Sequence, residues 1–168
     1  YFVEGGSAAN PSVQLIPTEL AIIDVDDQNI VSAILTITNC VDTEALGLSQ
    51  GFNPSGDISF TFSSDSCSLV LEGSTTIAEY EDTLRALIYT NAKEEPTPTT
   101  RIITLVVSDG QLDSAEVQIA VTFELVNDFP VITGTTGLVD HVEDSPSIFI
   151  VPRDVQITDN DNSQMQMA

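Results

Sequence analysis

A short pattern of residues occurs twice in this chain, and it limits the possible folds more than any other feature. The first copy runs Val3-Glu4, Pro17, Asp24, Asp26, and the second runs Val142-Glu143, Pro152, Asp159, Asp161. The Pro and both Asp positions repeat at an offset of 135 (152−17, 159−24, 161−26), whereas Val-Glu repeats at 139 (142−3). A repeat of this length indicates one whole module followed by the beginning of a second.

The repeat predicts how the chain is divided. We expect a complete domain over residues 1–130, a linker over 131–139 and the N-terminal part of a second, incomplete repeat over 140–168. A few strands alone cannot bury a core. We therefore expect the second part to pack against the first, to borrow strands from another chain, or to remain loosely ordered. The chain begins with Tyr1 and ends within a patterned stretch, so we also expect it to be a piece of a larger protein.

Alternating and β-branched runs predict an all-β domain. Four such runs are residues 30–37, 58–62, 102–107 and 117–125, and clusters of Asn, Asp, Pro and Gly separate them. About seven strands with frequent turns are typical of a seven-stranded antiparallel Greek-key β-sandwich, which is immunoglobulin-like or cadherin-like.

Three further segments have readable local patterns. Residues 107–115 predict a hairpin that joins two long strands. Apolar residues at helical spacing predict a short helical turn near 78–85, followed by a strand over 86–90. Residues 94–100 contain two prolines, which cannot donate ladder hydrogen bonds, so this stretch is expected to be a loop.

The charge balance excludes several classes of partner. There are 26 Asp and Glu residues against four Lys and Arg, a formal net charge of −22. Nucleic acid and anionic lipid both need a basic face, so neither is an expected partner. The excess of carboxylates favours multivalent cations, or a surface that is simply well solvated. No apolar run of about 18 residues occurs, so we expect no membrane insertion of this segment.

Two cysteines, Cys40 and Cys67, lie near the ends of predicted strands. We predict a disulfide between them, which would stabilise the fold by about 3 kcal/mol through loop closure. The alternative is two free, small apolar side chains in a reducing compartment.

No catalytic pattern is present in the sequence. It contains no Gly-x-Ser-x-Gly elbow and no glycine-rich phosphate loop, and its single histidine, His141, lies in the predicted linker. We therefore predict that the chain is not an enzyme. Carboxylates two residues apart project the same way from an extended chain, and calcium takes six to eight oxygen ligands. The pairs Asp24/Asp26 and Asp159/Asp161 are therefore candidate calcium ligands.

The order of these motifs resembles that of cadherin and cadherin-like repeats of extracellular adhesive and matrix proteins. The matching stretches are Val3-Glu4-Gly5, Asp24-Val25-Asp26-Asp27, Tyr80 to Asn91, Asn91 to Pro96, Leu105 to Gly110, Val126 to Val131, Val142-Glu143-Asp144 and Thr158-Asp159-Asn160-Asp161. Together they cover nearly the whole chain.

The resemblance implies Ca²⁺ ions between consecutive repeats. The ligands of the junction in this chain would be Glu4, Glu94 or Glu95, Asn127, Asp128, Asp159 and Asp161. Asp24 and Asp26, and likewise Glu143, would be half-sites toward neighbouring repeats. The linker Val126-Asn127-Asp128-Phe129-Pro130 lacks the full Asp-x-Asn-Asp-Asn pattern, and Lys93 stands where an acid would help, so we expect one or two weakly held ions.

The predicted function is that of a calcium-stiffened structural or adhesion module of a multi-repeat protein at the cell surface. Its partners would be neighbouring repeats or other copies, and other surface or matrix proteins. One alternative is a subunit of an extracellular filament or matrix that is assembled by β-strand complementation between chains. A carbohydrate- or receptor-binding sandwich is a third possibility, which the absence of Trp weakens. For Asp109, the alternative to binding metal is to shape the hairpin turn, and that is the role we expect.

Overall fold

The computed structural model describes residues 1–3, 12–41, 43–55, 57–93, 95–134, 142–144, 146, 155–159 and 161. Its chain divides into two compact units, Tyr1–Val126 and Asn127–Ala168. The domain limits at residues 130 and 139 stay a prediction. Both units are built from β-strands, and the only helix among the described residues is short, so the prediction of an all-β chain is confirmed.

The first unit contains ten strands and one helix within the described residues. Their bounds are β1 (Phe2–Val3), β2 (Ser12–Gln14), β3 (Asn29–Ile37), β4 (Glu44–Leu48), β5 (Ser59–Ser63), β6 (Ser68–Thr76), α1 (Ile77–Arg85), β7 (Leu87–Asn91), β8 (Arg101–Ser108), β9 (Val117–Val121) and β10 (Phe123–Glu124). A five-stranded antiparallel sheet has the order β5-β6-β3-β8-β9, and a three-stranded antiparallel sheet has the order β2-β7-β4. Strands β1 and β10 pair in parallel.

One hydrophobic core serves both sheets. Inward residues alternate along the strands, as in β3, where Ala33, Leu35 and Ile37 are buried and the residues between them are more exposed. The three-stranded sheet contributes Leu46, Leu87 and Tyr89 among others, and α1 contributes Tyr80 and Leu84.

Helix α1 begins at a capping box. Thr76 accepts from the Glu79 backbone N–H, and the Glu79 side chain accepts from the Thr76 backbone N–H. Arg85 lies in the last turn, where a cation is favourable. The predicted helical turn, the strand that follows it, the hairpin over 107–115 and the described part of the 94–100 loop are all present.

Two local expectations differ from the structure. Residues 117–125 form two strands, because β9 pairs antiparallel with β8 whereas β10 pairs parallel with β1. The chain therefore changes sheet at Thr122. Strand β4, with the sequence Glu-Ala-Leu-Gly-Leu, had no strand signal and adopts extended structure through its pairing with β7.

The predicted disulfide between Cys40 and Cys67 is present, with the two Cα atoms 6.3 Å apart. It joins the loop after β3 to the residue just before β6. Because β3 and β6 are adjacent antiparallel strands, the bond closes the end of a pair that the ladder already aligns.

In the second unit, β11 (Val131–Thr133) pairs antiparallel with β12 (Gln156–Thr158). The first three residues of the linker that the sequence predicts over 131–139 therefore form a strand. No helix in the described part of the chain is long and apolar enough to cross a membrane.

Candidate functional site

The first Asp-x-Asp pair lies in the unpaired segment between β2 and β3. One Asp24 carboxylate oxygen, Oδ1, accepts the backbone N–H groups of Asp26 at 3.2 Å and Asp27 at 3.1 Å. These two bonds lower the pKa of Asp24 below its usual value, and the bond from Asp27 has the larger effect. The carboxylate therefore stays ionised, and its charge is held by backbone dipoles in a tight turn.

The segment that carries this turn is anchored to helix α1. The Ile22 backbone N–H donates to Glu81 Oε1 at 2.8 Å, and Arg85 Nη2 donates to the carbonyl of Leu20 at 2.7 Å. The hydrogen bond from Ile22 is the main cause that lowers the pKa of Glu81, with Arg85 adding to it. The turn is thus held on a rigid element although it has no ladder of its own.

The second Asp-x-Asp pair, in the other unit, shares one hydrogen bond with the first pair. Asp159 Oδ1 accepts the backbone N–H of Asp161 at 3.1 Å, as Asp24 accepts that of Asp26. In this copy the second carboxylate has a further bond, because Asp161 Oδ2 accepts the backbone N–H of Asp128. Asp128 and the Asp159/Asp161 pair, which the resemblance assigns to one junction, are therefore joined by a backbone hydrogen bond.

Pairing of β11 with β12 explains this convergence. Val131 is opposite Thr158, so Asp128 and Asp159 lie just beyond the same end of the two-stranded sheet. Asn127 is next to them, and its side-chain amide donates to the Asp128 carbonyl at 2.8 Å. The pairing of these two strands thus brings together the ends of segments that are 31 positions apart (159−128).

The remaining predicted ligands are not part of either cluster as far as the structure describes them. Glu95 is exposed between β7 and β8, and Glu143 is exposed in the second unit. Glu4 and Glu94 lie outside the described residues.

The donor atoms around each turn suit a hard cation, since they are carboxylate, amide and carbonyl oxygens. Among the described residues, no group of three or more His, Cys, Asp or Glu side chains is arranged to hold a metal ion. Backbone N–H groups already occupy Asp24 Oδ1, Asp159 Oδ1 and Asp161 Oδ2. Each turn therefore supplies some oxygen ligands, and a cation would need further oxygens from water, backbone or a neighbouring segment.

A third charged cluster, which the sequence analysis missed, is buried in the first unit. Arg101 is fully buried, and its Nε–H donates a hydrogen bond to Glu44 Oε1. The same oxygen accepts a hydrogen bond from the Tyr89 hydroxyl at 2.8 Å. The Arg101 guanidinium also lies 5.0 Å from the centre of the Phe123 ring. Burial, with Glu44 adding to it, raises the pKa of Tyr89. This cluster is a structural part of the core with no open face.

Asp109 shapes the hairpin after β8, which was its alternative role. Its Oδ1 accepts the backbone N–H groups of Gln111 at 2.6 Å and Leu112 at 2.7 Å, while Gly110 adopts the left-handed φ of 94°. Gln111 in turn donates to Asp27 Oδ2 at 3.0 Å. The Asp-Gly sequence signalled the turn, but nothing local signalled its contact with Asp27, which is 84 residues away.

Comparison of the chain with protein-family models, with curated proteins and with solved structures finds no match.

Proposed function

We propose that this chain is a non-enzymatic, calcium-binding module of an extracellular multi-repeat protein, similar to cadherin-like repeats. The observation that carries the proposal is that the first Asp of each Asp-x-Asp motif accepts the backbone N–H of the second Asp, and that the second copy meets Asp128. The resemblance to cadherin-like repeats rests on the order of the motifs in the sequence.

The proposal also includes a specific arrangement of the strands, the Greek-key sandwich. A three-stranded and a five-stranded antiparallel sheet that share one core are compatible with a Greek-key sandwich built on seven principal strands. The disulfide between Cys40 and Cys67 supports an extracellular location, because such bonds persist in oxidising compartments.

The role of calcium follows from where the second cluster lies. Asp128 belongs to the first residues of the second unit, whereas Asp159 and Asp161 follow β12. A cation bound at this turn would neutralise the neighbouring Asp159 and Asp161 carboxylates and fix residues 127–128, whose backbone already bonds Asp161, to the end of the β11–β12 pair. The segment that follows residue 126 would then be stiffer with calcium than without it, which suits a module in a load-bearing array.

Limited proteolysis tests this function. The chain is treated with a protease of broad specificity in millimolar CaCl₂ and in chelator, and cleavage near residues 133–140 is followed by mass spectrometry. We expect slower cleavage with calcium, and we expect Asp161→Asn to remove the protection. Asp65→Asn, an exposed acid in the β5–β6 turn, is the matched control and should keep the protection. Equal cleavage with and without calcium would contradict the proposal.

A second candidate function is a subunit of an extracellular filament that is completed by strands of another chain. The observation that favours it is the two-stranded β11–β12 sheet, whose Val131, Ile132 and Ile157 are more than half exposed. A two-stranded sheet is marginal alone and accepts added strands at its edges. Light scattering at high protein concentration separates the two functions, because a strictly monomeric chain opposes strand complementation.

A further inference from the structure

A groove crosses the surface of the first unit beside the first Asp-x-Asp turn. One wall is the segment of residues 20–27, and the other wall is the hairpin loop of residues 109–115. The groove has a volume of about 430 Å³, which is within the range of small-ligand and peptide sites. All of it lies within residues 20–117 of one unit.

The floor of the groove is apolar. Ile30, Leu84 and Leu105 are buried beneath it and belong to the core. Its walls carry three aliphatic side chains that are mostly exposed to solvent: Ile23 is 88% exposed, Val25 is 96% exposed and Leu112 is 77% exposed. Exposed aliphatic groups that border an apolar groove are typical of a surface that a partner covers.

The rim of the groove is uniformly acidic. Asp24, Asp26 and Asp27 lie on one wall, and Asp109 and Asp113 lie on the other. No Lys, Arg or His is among the described residues that line it. Carboxylates on both walls raise the local concentration of cationic groups above the apolar floor.

The walls are held in position before any partner arrives. Arg85 and Glu81 of α1 anchor residues 20 and 22, and Asp109 closes its own loop with two backbone bonds. The side chain of Gln111 bridges the two walls by donating to Asp27 Oδ2 at 3.0 Å. A preformed groove loses less conformational entropy on binding than a flexible one.

We propose that this groove binds a basic, amphipathic protein segment. A neutral apolar partner would cover the floor but would desolvate five carboxylates without pairing them, which is costly. A second copy of this chain is disfavoured because each copy carries a net charge of −22. A segment with alternating basic and aliphatic residues satisfies both features, because an extended chain sends alternate side chains to opposite faces. Its aliphatic groups contact the floor, and its ammonium or guanidinium groups reach the rim.

Asp24 and Asp26 of the rim are also the predicted calcium half-site, so the test is run in chelator, where no calcium competes with the peptide. A short synthetic peptide in which Lys alternates with Leu carries a fluorophore, and its binding to the full chain is measured by anisotropy at low and at moderate salt. We expect saturable binding that weakens as salt rises, because the rim charges are exposed. Two control peptides have Glu in place of Lys or Ser in place of Leu, and we expect both to bind far more weakly.

Variants of the protein locate the site. The double variant Asp26→Asn/Asp113→Asn should weaken binding by about threefold to tenfold at low salt, which is the effect of losing two exposed charge pairs. Leu112→Ser should weaken it with little salt dependence. All three side chains are exposed, so the fold should tolerate these changes, and circular dichroism checks that it does.

The matched controls remove similar groups elsewhere. Asp57→Asn/Asp65→Asn takes away two exposed acids outside the groove, and Val41→Ser takes away an exposed aliphatic group. Two results would overturn the proposal. One is equal weakening by the groove and control acid variants, which would show attraction to net charge alone. The other is undiminished binding of the Ser-substituted peptide, which would show that the apolar floor plays no part.

Discussion

Glu44 and Asp24 are both carboxylates in a chain that has few cations, and the fold surrounds them in opposite ways. Glu44 is buried and bonded to the fully buried Arg101 and to the Tyr89 hydroxyl. Asp24 lies in a surface turn where two backbone N–H groups hold its charge. The first arrangement is closed to any outside partner. The arrangement around Asp24 leaves carboxylate oxygen atoms accessible to solvent, so the turn is the more accessible place for a cation.

The shortage of cations makes this division unavoidable. The whole chain has four Lys and Arg for 26 acids. Arg101 is committed to Glu44, and Arg85 is committed to Glu81 and Asp82 together with the backbone of residues 18 and 20. Most carboxylates must therefore rely on water, backbone N–H groups or an external cation. Substitutions can test this comparison in both environments, by removing the cation from the buried pair or by neutralising the exposed carboxylates.

The largest effect is expected from Arg101→Met. The substitution leaves Glu44 buried without its cation, and breaking such a pair costs about 3–5 kcal/mol of unfolding free energy. Denaturant unfolding at neutral pH measures the loss. Arg85→Met is the control on the surface, where the pairs are partly exposed, and should cost about 1 kcal/mol.

A double variant sharpens that result. Arg101→Met with Glu44→Leu removes both charges, so most of the lost stability should return. If the single and double variants were equally unstable, packing of the Arg101 side chain, and not its charge, would be what holds the core.

The next effect concerns calcium. With a dissociation constant of about 10⁻³ M, 10 mM Ca²⁺ should stabilise the second unit by about 1.4 kcal/mol, from the mass-action relation for a ligand bound only by the folded state. Thermal unfolding with and without calcium measures it. Asp161→Asn should abolish the shift, because Asp161 lies with Asp128 and Asp159.

Asp26→Asn is the matched substitution in the first copy of the motif. It should leave the calcium shift unchanged, since the resemblance makes the first turn only a half-site. A loss of the shift in both variants would mean that the two copies are equivalent, which the resemblance does not imply.

A smaller effect is expected from Glu81→Gln in acid. The hydrogen bond from Ile22, with Arg85, holds the pKa of Glu81 below its usual value of 4.5, so the unfolded chain binds more protons there than the folded chain. The stability due to this carboxylate is therefore present above pH 4.5 and is lost as the pH falls through the lower folded pKa. We expect the variant to be less stable by about 1 kcal/mol at pH 7, and we expect the difference to shrink below pH 4.5. Asp82→Asn, at a side chain that is 70% exposed, is the control and should cost less stability at pH 7 than Glu81→Gln.

The smallest expected change is in the titration of Asp24 itself. Backbone N–H groups of Asp27 and Asp26 stabilise its ionised form, so its NMR titration midpoint should lie below 3.8. Asp24→Asn keeps an oxygen acceptor and should preserve the turn. A midpoint at or above 3.8 would show that the turn does not hold the charge.

Local patterns predicted much of this molecule and little of its long-range contacts. The helical turn predicted near 78–85 and the β run predicted at 102–107 correspond to Ile77–Arg85 and Arg101–Ser108, because periodicity is a property of neighbouring residues. Strand β4 was missed because only its pairing with β7 makes it extended. The resemblance implied that Asp128 and Asp161 belong to one junction, and a backbone hydrogen bond joins them, whereas calcium binding there stays a prediction.

The sequence by itself determined the β-rich character of the chain, its repeated Asp-x-Asp motif and its large excess of negative charge. It determined the shape of each turn as well, because an Asp side chain bonds backbone N–H groups two and three residues ahead. Only the tertiary structure decided which charges are enclosed and which remain accessible. The Arg101–Glu44 contact spans 57 residues and the Gln111–Asp27 contact spans 84. Contacts of that range depend on strand order and register, which arise when the sheets pack on a common core.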